Sequence, residues 1–150
     1  MVLKLGNKKN KEKKNSANLV LNPEFIIKES KAFLEKLQII RHEIIARDKA
    51  YAKAKANGNA ADMANYNKLA HAVSTKCIDY GRDLCDAPIP QWVDGSLSKD
   101  NIAITRHAYD VIRNKICASL NVFDSDLMPS ARILVDFAEG VHSPKGGISH

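Results

Sequence analysis

The chain has three cysteines, one tryptophan and no apolar run long enough to cross a bilayer. Cys77, Cys85 and Cys117 are odd in number and lack C-x-x-C spacing, which argues against a disulfide framework. They read as buried thiols of a protein made in a reducing compartment. No stretch approaches the roughly 20 apolar residues a membrane-spanning helix needs, so no span is expected. A secretory leader is not expected either, because lysines continue where its apolar centre should lie. Nucleophile motifs of the G-x-S-x-G kind are missing. No glycine or proline falls between Pro23 and Gly58, which leaves room for a long uninterrupted helix.

The charge is distributed very unevenly. The formal net charge is +6, and the first fifteen residues hold +5 of it: Lys4, Lys8, Lys9, Lys11, Lys13 and Lys14 against Glu12. The other 135 residues carry 17 bases and 16 acids. The chain is therefore a nearly neutral body led by a polybasic arm, residues 1–18. Such an arm seeks phosphate, on nucleic acid or on an anionic surface. With no aromatic residues between its lysines, it would bind by counterion release without reading bases. The plainer alternative is a solvated, solubilising tail. Leu19, Val20 and Leu21 form a short apolar clip after it.

Helices account for the rest. Asn22-Pro23-Glu24 is a helix start, with Asn as N-cap, Pro at the first position and an acid in the first turn. No breaker follows until Asn57-Gly58-Asn59, which predicts a helix of roughly 50 Å at 1.5 Å per residue. Its apolar positions fit a heptad, with Ile26, Phe33 and Ile40 in one register and Leu37, Ile44 and Tyr51 in the other. Ser30 and Arg47 interrupt it. Gly58 suits a left-handed C-cap. A second helix, about 60–84, repeats the pattern with Met63, Ala70, Cys77 and Leu84, and with Tyr66, Val73 and Tyr80. Two heptad helices joined by so short a turn predict an antiparallel hairpin.

Residues 86–97 read as a connector, stiff and extended at Pro88-Ile89-Pro90-Gln91-Trp92. Ser98 can cap a third helix over 99–120, with Ile102, Tyr109, Ile112 and Ile116 inward and Ile104, Ala108 and Val111 widening the stripe. Residues 121–128 read as a loop. A fourth helix, 130–139, is apolar nearly all round through Ile133, Leu134, Val135, Phe137 and Ala138, and should be the most buried, ending at Gly140. The expected organisation is an arm at 1–18, a helical domain at 19–140 and a flexible tail at 141–150. The expected fold is all-α: a long antiparallel hairpin plus two shorter helices, bundle-like, with the hairpin tip left uncovered. Uncovered heptad surface points to a partner.

Several residues invite a chemical reading. Arg41, Arg47, Lys49, Lys53 and Lys55 could extend a basic face, but cations near a helix C-terminus also complement its dipole, and Glu43 and Asp48 dilute the patch. Glu139 and His142 have the Glu-x-x-His spacing of di-iron bundles, yet that chemistry needs two such pairs and further carboxylates. Cys77 and Cys85 share a helix face about 12 Å apart, too far for one zinc. No metal or cofactor is expected. Trp92 is either a lid over one end of the bundle or an anchor for a partner's pocket.

The stretch Leu69-Ala70-His71-Ala72-Val73, with Gly81 ten residues beyond the histidine, resembles the phosphoacceptor helix of histidine phosphotransfer domains, which are small four-helix bundles. The resemblance implies phosphorylation at His71. In that family a lysine three residues on holds the phosphoryl group and a glycine four on makes room for it. Ser74 and Thr75 stand there in this chain.

The reading that best accommodates these features is a non-enzymatic structural or assembly subunit of a larger nucleic-acid-containing particle, such as a phage or viral virion component. Lys4, Lys8, Lys9, Lys11, Lys13 and Lys14 would contact phosphate or an acidic partner. Ile40, Ile44, Tyr51 and Trp92 would meet neighbouring subunits or further copies of the chain. The expected location is the cytoplasm, or a virion assembled there. The alternatives are a phosphotransfer-like signalling module using His71 and a stand-alone nucleic-acid-binding accessory protein.

Overall fold

The computed structural model describes residues 22–94 and 99–141. The polybasic arm, the apolar clip at 19–21, the Ser98 cap and the tail from 142 lie outside the described residues. Within them the fold is all-α and bundle-like, with four helices and no strand.

Helix α1 runs Pro23–Asn57. The Asn22 side chain accepts the Glu24 amide at 2.7 Å, the first orphan donor of the helix. At the far end Gly58 adopts φ 62°, and its amide donates to the Ala54 carbonyl at 2.8 Å. Asn59 then caps helix α2, Ala60–Asp86, by accepting the Asp62 amide at 2.8 Å. The turn is therefore built from residues whose backbone and side chains suit it, and α2 folds back along α1.

The heptad seam works over only part of this hairpin. Phe33, Leu37, Ile40, Ile44, Val73, Cys77 and Leu84 are core residues. Toward the turn the seam thins to Ala50 and Ala54, and between residues 51 and 72 Ala54 alone is buried. Tyr51 and Met63, expected on the seam, are 46% and 41% exposed. Alanines bring the two helices close and leave the larger side chains on the flanks.

The two interruptions of the α1 pattern also have physical roles. Ser30 is fully buried and donates its hydroxyl to the Ile27 carbonyl at 3.0 Å, so it fills a small site without an unpaired group. Arg47 leans along the core and donates to the Ala118 carbonyl at 2.8 Å.

The connector after α2 is not extended throughout. Gln91–Asp94 form a 3-10 turn, with the Val93 amide donating to the Pro90 carbonyl at 3.0 Å. Arg106 grips Asp94 with two hydrogen bonds of 2.7 Å, fixing the turn to the next helix. Trp92 thereby reaches Phe33 at 5.5 Å and Tyr109 at 6.2 Å between ring centroids.

Helix α3 spans Lys99–Lys115, shorter than the expected 99–120. Thr105, Ala108, Tyr109 and Ile112 face the core, whereas Ile104 is 43% exposed and does not widen the stripe. The helix stops without a glycine or proline because tertiary contacts support the break. Arg47 takes the Ala118 carbonyl, and Ser119 caps the next helix by accepting the Val122 amide at 3.4 Å.

Helix α4 begins ten residues before its expected start. Leu120–Val122 is one α-helical turn, Phe123–Leu127 is a π turn, and Met128–Val141 continues as α-helix. The segment read as a loop is thus helical. Pro129 has no amide to donate and its ring crowds the carbonyl four residues back. The wider π turn just before it, closed by the Met128 amide on the Phe123 carbonyl, accommodates that defect within a continuous helix. The π turn also sets Phe123 and Leu127 inward, both fully buried. Gly140 lies inside the helix rather than ending it, and the helix is not buried all round: Ile133 is 36% exposed, and Pro129, Arg132 and Asp136 are exposed with it.

α1 packs along α2 and α4, and α4 packs in turn on α3. The core thus sits at the end of the hairpin that carries Phe33 and Tyr80, and the turn end projects beyond it.

Candidate functional site

The six arm lysines, Lys4, Lys8, Lys9, Lys11, Lys13 and Lys14, lie outside the described residues, so the structure describes only where the arm joins: the N-terminus of α1. That is the core end of the molecule, where Lys31 pairs with Glu139 of α4 at 3.0 Å. The hairpin turn lies at the other end of α1, about 50 Å away for a helix of this length.

The four residues expected at a partner interface divide. Ile40 and Ile44 are 2% and 0% exposed and belong to this chain's own core rather than to an outer face. The heptad pattern identified a buried face correctly but could not say which helix covers it. Trp92 is half-buried in an aromatic cluster with Phe33 and Tyr109. Tyr51 does face outward; it meets Tyr66 at 5.1 Å, with the Lys55 ammonium 5.7 Å above its ring. Large apolar residues that do reach the surface include Ile39, at 54%, and Ile78, at 57%.

The basic residues of α1 also divide, at Arg47. Arg41 is held by Asp124 of the π turn through bonds of 2.6 and 3.4 Å, and Arg47 by Asp48 and the Ala118 carbonyl. The Arg41 hydrogen bond holds the Asp124 carboxyl below the usual aspartate range. Lys49, Lys53 and Lys55 lie beyond these pairs on the projecting tip, where α2 adds Lys68. The sole acid of residues 49–72 is Asp62, so four lysines leave that segment at net +3. The described residues together hold sixteen bases and sixteen acids, so the rest of the body carries −3. Asp62 is drawn into the turn: it accepts from Asn57 at 2.8 Å and Asn59 at 3.1 Å, with Lys53 at 3.8 Å. The Asn57 hydrogen bond above all keeps its carboxyl ionised to lower pH than usual.

Among the described residues, grooves open on both flanks of α1. One, about 530 Å³, lies against α4 and is lined by Gln38, Arg41, His42, Asp124, Met128 and Arg132. The other, about 300 Å³, lies against α2, with Ile39, Ile40 and Tyr80 on its wall and Lys36 above the Tyr80 ring at 4.8 Å. Lys76 at its rim is tied to Glu43 at 2.6 Å.

His71 is exposed on α2, and so are Ser74 and Thr75. Gly81, part of the same resemblance, has a packing role: a Cβ there would meet the Ile116 side chain at 2.8 Å. Of the thiols only Cys77 is buried, which pushes its pKa up to about 11. Cys85 is exposed and donates to the Arg113 carbonyl at 3.3 Å, and Cys117 is half-buried, so the expectation of three buried thiols is corrected. Glu139 pairs with Lys31, while His142 is outside the described residues. No group of three or more His, Cys, Asp or Glu side chains suited to a metal occurs among the described residues. Likewise, no helix among them is long and apolar enough to cross a membrane. No protein family, curated protein or solved structure matches this chain.

Proposed function

We propose that this chain is a non-enzymatic structural or assembly subunit of a larger nucleic-acid-containing particle, with a phage or viral virion as its natural setting and the cytoplasm as its place of assembly. The observation that carries this reading is the layout of charge: +5 within the first fifteen residues, joined to a folded body whose bases and acids cancel. A solubilising charge has no reason to collect at one end, whereas a phosphate-binding arm on a neutral body does. The body offers a rigid α-helical unit to neighbouring subunits or further copies, and exposed Ile39 and Ile78 are the residues such contacts would bury.

The test is a salt series. Binding of the full chain to duplex DNA, followed by fluorescence anisotropy, should show little sequence preference. If all six arm lysines engage, they should contribute about −5 to its log–log slope, at about −0.9 per phosphate contact. Replacing those six lysines by glutamine should flatten the slope. A salt-independent affinity, or strong discrimination between sequences, sinks the reading.

A further inference from the structure

We propose that the tip of the hairpin is a second nucleic-acid contact surface, which grips the phosphodiester backbone without reading bases. The inference rests on the nucleic-acid reading of the arm and adds a site that the arm does not contain.

The tip is uncovered, with Ala54 the one buried residue between 51 and 72. It carries +3 on a body that is otherwise −3, so its positive field is local and directional. Its only acid is withdrawn: the Asp62 side chain is 18% exposed against 67% for Lys53. Among the described residues no ion pair reaches Lys49, Lys55 or Lys68.

Helix-dipole compensation does not account for these lysines. That effect fades within the last turn, and Lys55 is the only base in the last turn of α1. Lys49 and Lys53 lie further back, and Lys68 is in the interior of α2. Lys49 and Lys53, four residues apart, share one flank of α1. Their rise of about 6 Å is close to the roughly 6.8 Å that a strand advances along the duplex axis in two nucleotide steps. Tyr51 and Lys55 share the other flank, with the Lys55 ammonium 5.7 Å above the half-exposed ring. Tip-to-tip pairing of two copies is disfavoured, because it would bring like charges together. A polyanion is complementary.

The experiment uses the full chain and a variant with Lys49, Lys53, Lys55 and Lys68 replaced by glutamine. Glutamine keeps the helix and removes charge, and circular dichroism checks that the fold is retained. Against a 20-base-pair duplex, the salt slope should become shallower by up to about 3.6, at 0.9 per lost contact. The effect should add to that of the arm replacement, since each lost phosphate contact removes its own share of counterion release. An unchanged slope in the tip variant, with the arm variant still flattened, overturns the tip site and leaves the arm reading standing. Absence of salt-dependent binding by the wild-type chain overturns both. Equal affinity for polyglutamate of matched charge makes the tip a dock for acidic protein and overturns this proposal.

Discussion

The Arg47 guanidinium donates to the Ala118 carbonyl at 2.8 Å across 71 residues of sequence. One charged side chain in a hydrophobic seam thereby holds the chain where α3 ends and α4 begins. The same guanidinium bonds Asp48 at 2.7 and 2.9 Å, so its charge is paired as well as its donors. Arg47→Met keeps the apolar stem and removes the donor. It should cost about 1.5–3 kcal/mol, the range for a hydrogen bond to a charged group, read from the urea midpoint with helicity unchanged. A midpoint equal to wild type would mean the bond contributes nothing.

Ile44 tests the core. It is fully buried between α2 and α4. Ile44→Ala should destabilise by about 2–5 kcal/mol, and Ile44→Asp should unfold the chain by burying an unpaired charge. A folded, stable Ile44→Asp chain would show the residue to be on a surface after all.

Gly58 isolates a backbone effect from packing. Its φ is 62° and nothing lies within 4 Å of where a Cβ would stand. Gly58→Ala should therefore cost about 1 kcal/mol for the left-handed conformation alone, and Gly58→Asn less, since asparagine tolerates it. Thermal melts of the three proteins should rank Gly, Asn, Ala.

Acid should loosen the tip and the π turn. Asp62 and Asp124 both have carboxyls lowered by hydrogen bonds, from Asn57 and Arg41 respectively. Their contribution to stability is present above the unfolded aspartate value, about 3.9. It is lost as pH falls through the lower folded values. Stability should thus be flat from pH 7 to 5 and fall below about pH 4, with Asp124→Asn and Asp62→Asn each reducing the fall. Carboxyl titration by NMR at or above the ordinary value would contradict the assigned hydrogen bonds.

His71→Ala should leave nucleic-acid binding and assembly intact, because an exposed helical position needs only a helix former, and alanine is the best. With Ser74 and Thr75 in place of a neutralising lysine and a glycine, no phosphodonor should label His71. Acid-labile, base-stable phosphate on it would instead establish a signalling module.

By itself the sequence determined the long hairpin, its capped ends, its left-handed glycine turn and the polybasic arm. These are local matters: Asn22, Pro23 and Gly58 act on the backbone beside them, the 3.5-residue repeat marks the buried face over the covered half of the hairpin, and charge along the chain can be counted. What only the tertiary structure decided is what lies across that face. Ile40 and Ile44 could have met a partner, but α2 and α4 of the same chain enclose them. Residues 121–128 looked like a loop because Asp124, Ser125 and Asp126 are polar and Pro129 follows. A π turn keeps them helical because burying Phe123 and Leu127 outweighs weak local propensity. Arg47 looked like a flaw in a seam until Ala118, distant in sequence, supplied the acceptor. The lysines of α1 looked like one diluted row, but ion pairing occupies Arg41 and Arg47, while the uncovered tip carries Lys49, Lys53 and Lys55 on α1 and Lys68 on α2. Each of these outcomes depends on contacts between residues far apart in sequence, which periodicity and propensity do not encode.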